Sequence, residues 1–168
     1  MKNLVFGILL IVIGAIIPVT NIVMKIQFNQ QCAGFLKQAA DANTAELALE
    51  RMNIAVKYVE DNNLTDGYTS VLWRTEADNI GYWYRNLKAC QKELSECMDG
   101  TQLEKSNVLM KVRESLTDSG KEGTDLTIPN GISRYPNNTG WGIGRTISYI
   151  MVLVGIGLLM WYFEEDYY

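Results

Sequence analysis

The sequence predicts an all-α membrane protein, with two transmembrane helices flanking a helical extramembrane domain built as a bundle or a helical hairpin. Three observations predict it. Residues 4–24 carry no charged side chain. Residues 147–163 carry none either, with Trp141 ahead of them and Trp161 and Tyr162 near their end. Between these runs lies a polar stretch in which apolar residues recur at helical spacing.

The first run has only Thr20 and Asn21 as hydrogen-bonding side chains. At the rise of an α-helix it spans roughly 30 Å, about one hydrocarbon core. It exceeds the roughly 7–15 residues of a signal-peptide core. No small-x-small cleavage pattern follows it, since the next residues are Lys25-Ile26-Gln27-Phe28. An uncleaved anchor over residues 1–25 is therefore expected. The second anchor is assigned to residues 141–163. Trp141 and Trp161 are again about 30 Å apart along a helix, so their rings suit opposite interfaces. Residues 164–168 form a short acidic tail.

The middle, residues 26–140, holds 12 of the 15 basic and 16 of the 19 acidic residues, a net charge of −4 with both signs interspersed. A nucleic-acid face needs a basic excess, so no nucleic-acid partner is expected. Residues 26–118 read as the helical domain. Phe28, Cys32, Phe35 and Ala39 mark one helical face. Asn43 followed by Glu46 resembles a capping box and predicts a turn near residue 42, in preference to one long kinked helix. The next helix has the stripe Ala45, Ala48, Met52, Ala55 and Val59, widened by Leu49, Ile54 and Val56, and stops at Asp61-Asn62-Asn63. Residues 62–78 form a loop with the turn signal Asp66-Gly67 and one extended piece from Tyr68 to Trp73.

Ile80, Trp83, Leu87, Cys90, Leu94 and Cys97 then repeat at 3, 4, 3, 4 and 3, a heptad seam with Asp78 as the expected N-cap. Asp99-Gly100 ends that helix. Thr101-x-x-Glu104 opens another, striped by Leu109, Val112 and Leu116. Residues 119–140, rich in Gly, Pro and Asn, are expected to form a connector. Cys32, Phe35, Leu36, Ala48, Met52, Ala55 and Glu60 fall near the spacing of a tetratricopeptide hairpin. The stretch 32–60 resembles that family in part only, since its Gly-x-x-Tyr is missing.

The sequence contains no histidine. That removes His-based acid–base chemistry and most metal ligand sets. No phosphate-binding loop, dinucleotide fingerprint or nucleophile elbow occurs. Gly140-x-Gly142-x-Gly144 reads as flexible juxtamembrane backbone. No catalytic residue, metal or cofactor is therefore assigned, and the chain is not expected to be an enzyme. Cys90 and Cys97, seven apart, lie about 10 Å from each other in a continuous helix, too far to bridge. Each cysteine sits on a seam, the place of a small buried hydrophobe; the alternative is one disulfide from Cys32 to Cys90 or Cys97. Tyr68, Trp73, Tyr82 and Tyr84 form an aromatic cluster that suits either the core beneath the loop or a groove for a ligand or partner.

In the membrane, Gly7 and Gly14 share a face of the first helix, and Gly155 and Gly157 mark the second. All four are candidate helix-packing positions. Pro18 is expected to bend the first helix near Gly14. Two crossings return the chain to its starting side, so both termini share a compartment. Lys2 favours a cytoplasmic N-terminus while Lys25 and Arg145 favour the reverse; the signal-anchor-like start tips the expectation to an extracytoplasmic domain in the plasma or inner membrane. The layout resembles the input half of bacterial membrane receptors, without a signalling module after the second span. It implies a membrane-anchored binding protein with the lipid bilayer and a membrane protein or a second copy as partners. The alternative is an accessory subunit of a larger membrane complex.

Overall fold

The computed structural model describes residues 2–70, 74–120 and 123–165. Its elements are α1 (Lys2–Phe28), a π-helical turn (Asn29–Ala33), α2 (Gly34–Ala40), α3 (Ala45–Asp61), α4 (Ile80–Glu96), α5 (Gln102–Leu116), β1 (Thr117–Gly120), β2 (Gly123–Leu126) and α6 (Asn138–Glu165). Short 3-10 turns occupy Glu76–Asp78 and Ile132–Arg134. Helix therefore dominates, as the apolar periodicity predicts. The chain divides into two compact units, one of Met1–Lys25 with Asn137–Tyr168 and one of Ile26–Pro136.

In the first unit, α1 and α6 are both long and apolar enough to cross a membrane by length and composition. Pro18 lies inside α1 without ending it. Thr20 Oγ1 and Asn21 Nδ2 donate to the carbonyls of Ile16 and Ile17 at 2.8 and 2.9 Å, so these polar donors turn back onto their own helix. α6 starts at Asn138, well before the apolar run, and takes in Gly140, Gly142 and Gly144. The flexible backbone expected there is instead regular helix.

The second unit is built on α2, α3, α4 and α5. Gly34 N–H donates to Asn29 O, five residues back, which marks the π-turn. One extra residue in the turn rotates the following face, so Leu36 takes the buried position expected of Phe35. α2 stops at Ala40 and a turn follows, as expected. Thr44, one residue after the expected Asn43, caps α3 by accepting from Leu47 N–H at 3.2 Å. α3 buries Ala45, Ala48, Met52, Ala55, Val56 and Val59, while Ile54 faces outward.

α4 buries its whole seam, Ile80, Trp83, Leu87, Cys90 and Leu94, with Cys97 at its C-cap. Its N-cap is Asn79, whose Oδ1 accepts from Tyr82 N–H at 2.9 Å; Asp78 instead closes the preceding 3-10 turn. Both arms of the Thr101–Glu104 capping box form. Val112 and Leu116 are buried beneath α5.

The segment after α5 is more ordered than a connector. β1 and β2 pair antiparallel, Thr117 opposite Leu126 and Asp118 opposite Asp125. Ile132 is buried in the core, with Leu126, Ile128 and Tyr135 packed against it. Residues up to Pro136 thus belong to the same compact unit as the helices.

Candidate functional site

The aromatic residues singled out in the sequence do not share one groove. Tyr82 and Tyr84 stand two apart on α4, about 200° around the helix. Tyr82 is 61% exposed. Tyr84 turns to α3, where its hydroxyl donates to Glu60 Oε1 at 2.7 Å. That hydrogen bond and the Lys88 ammonium, 3.3 Å from Glu60, hold the Glu60 carboxyl below its ordinary range, while the hydrogen bond to the Glu60 carboxylate pushes the Tyr84 phenol up. Tyr68 lies under the Arg74 guanidinium, 5.4 Å from the ring centroid, and its hydroxyl accepts from Asn79 Nδ2 at 3.3 Å. These contacts brace the loop between α3 and α4. Trp73 lies outside the described residues.

One concave feature of the helical unit lies elsewhere. The second half of α4, the Gly100 turn and α5 enclose an open groove of about 410 Å³, lined by Glu93, Glu96, Cys97, Glu104, Asn107, Val108 and Lys111. Each of its carboxylates is engaged. Glu93 pairs with Lys111 at 2.6 Å, Glu96 with Lys92 at 3.7 Å, and Glu104 closes the capping box. The groove is therefore a polar, net acidic surface with a short apolar floor. Nothing in the sequence pointed to it, because α4 and α5 form its walls only once they pack side by side.

The three cysteines are free and buried, so the disulfide from Cys32 to Cys90 or Cys97 is not formed. Cys32 sits with its sulfur 4.0 Å from the Ala55 carbonyl oxygen, at the contact of the π-turn with α3. Burial pushes its thiol up to about 12, and pushes those of Cys90 and Cys97 up as well. Thiols held protonated in this way are poor nucleophiles and poor metal ligands. Among the described residues, no group of three or more Cys, Asp or Glu side chains is placed to hold a metal ion.

In the first unit, three of the four candidate glycines pack. A Cβ on Gly155 would lie 2.8 Å from the Gly7 carbonyl oxygen, and one on Gly14 would lie 3.0 Å from that of Ser148. Gly144, not foreseen as a packing position, meets the Ile17 side chain, whose Cδ1 would lie 2.9 Å from an added Cβ. The pairs 7/155, 14/148 and 17/144 make α1 and α6 antiparallel, and at the first two the backbones approach closely. Gly157 differs: a Cβ there would meet open space.

Compared with models of protein families, with curated proteins and with solved structures, the chain has no match.

Proposed function

We propose that this is a two-pass, membrane-anchored, non-enzymatic protein whose helical middle binds a partner protein or ligand on the extracytoplasmic side of a plasma or inner membrane. The observation that carries the anchoring is the outer surface of the α1–α6 pair. Val5, Phe6, Leu9, Val12, Ile16, Val19 and Val23 of α1 and Ile147, Ile150, Leu153, Val154 and Met160 of α6 are all exposed. Large apolar side chains around two helices of this length match a hydrocarbon solvent. The groove between α4 and α5 supports docking over chemistry, because its charges are already paired and the thiols of the unit are buried. Reporter fusions at both termini, with alkaline extraction of membranes, test the anchoring. Release by alkali, or termini on opposite sides, overturns it. Pull-down from mild detergent tests the binding role.

The second reading, an accessory subunit of a larger membrane complex, is favoured by Gly157. It offers a smooth point on the face of α6 turned away from α1. A membrane protein recovered in fixed ratio, and lost on Gly157→Leu, supports that reading. A lone protein whose melting rises with a ligand supports the first.

A further inference from the structure

The apolar runs of α1 and α6 are offset where the helices meet. α1 carries no charge from Asn3 to Met24, whereas α6 has Arg145. Gly144 packs on Ile17, so Arg145 lies at about the depth of Ile17. That is seven residues, about 10 Å, inside the charge-free run of α1. Exposed apolar side chains of α1, Val19, Ile22 and Val23, continue beyond that depth toward Lys25. Read alone, the α6 sequence places Arg145 just ahead of the charge-free run 147–163; the helix pairing sets its depth against α1.

Arg145 is exposed, and among the described residues it has no ion-pair partner. The carboxylate of Glu164 is 19 residues further along α6, about 28 Å away. A second copy of the chain brings no carboxylate to this depth, because α1 has none and those of α6 lie at its far end. A cation facing hydrocarbon requires an anion or a route to water. The helix supplies the route. Cα–Cβ bonds lean toward a helix N-terminus, so the Arg145 side chain is carried toward Trp141, one turn back, and out of the apolar band. Trp141 precedes it at i−4, and such a ring favours the headgroup level.

We propose that Arg145 is a lipid site: it binds the phosphate of an anionic phospholipid in the leaflet at the N-terminal end of α6. The inference rests on the two-span reading. Guanidinium and phosphodiester form paired, charge-assisted hydrogen bonds. Gly142 and Gly140, whose surroundings are open, leave room for a headgroup beside the side chain.

The test uses the full chain, purified in mild detergent and exposed to phosphatidylglycerol or phosphatidylcholine, with bound lipid counted by native mass spectrometry. The wild type is expected to retain phosphatidylglycerol over phosphatidylcholine by about fivefold, as one cation near an anionic surface provides. Arg145→Gln is expected to abolish the preference and Arg145→Lys to keep part of it, with helical content unchanged. Equal preference in wild type and Arg145→Gln overturns the site while leaving the two spans intact. So does loss of a co-purifying membrane protein on Arg145→Gln without loss of lipid, which assigns the anion to a partner's carboxylate. Release of the wild-type chain from membranes by alkali overturns both readings.

Discussion

Arg113 Nε donates to the Ala40 carbonyl at 2.8 Å, so the last turn of α2 is closed by a side chain from α5, 73 residues on. Helix C-termini leave carbonyls without partners, and the Asp41 N–H already turns back to Lys37 and Ala39. The guanidinium also brings a positive charge to the negative end of a helix dipole. This contact joins α2 to α5 at a point that apolar packing alone does not specify.

Arg113→Met keeps the stem and removes the donor. The full chain in detergent is expected to lose about 1–2 kcal/mol, the cost of an unpaired carbonyl at a partly buried site. Lys57→Met, on the outer face of α3, sets the baseline. Equal thermal shifts for the two would show that the Ala40 contact contributes nothing.

Leu87→Asp places a charge at a residue 1% exposed in the middle of the α4 seam. The expected loss is several kcal/mol, comparable to the roughly 5–15 kcal/mol that holds a small domain folded. Lys88→Asp loses the exposed pair with Glu60 and sets two solvated carboxylates near each other, which costs about 1 kcal/mol. Urea melts of the two variants, compared at one temperature, check the difference.

Gly155→Ile and Gly157→Ile separate packing from composition. At Gly155 the added Cβ would lie 2.8 Å from the Gly7 carbonyl oxygen and 2.7 Å from Ile11 Cγ1, so the helices must part. At Gly157 it meets open space. Disulfide trapping between cysteines placed at positions 10 and 152 should fall sharply in the first variant and persist in the second.

Cys32 should react with a maleimide at pH 8 only when the domain unfolds, since its folded thiol is pushed up to about 12 from an ordinary value of 9.0. The sign of the linked stability follows. Below about pH 9 the thiol is protonated in both states and the shift has no effect on stability. Above it the unfolded thiol ionises while the folded one holds its proton, so stability falls as pH climbs from about 9 toward about 12. Cys32→Ala should flatten part of that alkaline loss; an unchanged slope would place the thiol in contact with water.

The unit Ile26–Pro136 should fold as a soluble helical domain when expressed alone. It has its own buried core, and its outer helix faces carry mixed charge. Truncation at residue 118, before Ile128 and Ile132, should lower its melting temperature by removing side chains that pack on the core. Circular dichroism showing mainly coil in the longer fragment would overturn the expectation.

What the sequence determined by itself was local. The seam from Ile80 to Cys97 was legible because six apolar residues at heptad spacing have one low-energy arrangement, a helix with that face buried. The Thr101–Glu104 box was legible because a cap closes within four residues. The length and apolarity of α1 and α6 were legible because they require no partner. One-residue errors arose where two local solutions compete: Asn43 and Thr44, or Asp78 and Asn79, are equally good caps, and tertiary packing selects one.

The tertiary structure decided everything that depends on register between distant segments. The π-turn at Asn29–Ala33 rotates Leu36 inward in place of Phe35, because the face that meets α3 is chosen by contact and not by spacing. Tyr82 and Tyr84, close in sequence, part to different surfaces, while the walls of the acidic groove come from two helices whose side-by-side packing forms it. Gly155 packs and Gly157 does not, since only one of two glycines about 200° apart can face α1. Arg145 comes level with Ile17 for the same reason: its position along α1 is a property of the helix pair, set where Gly144 meets Ile17, and no single helix carries that information.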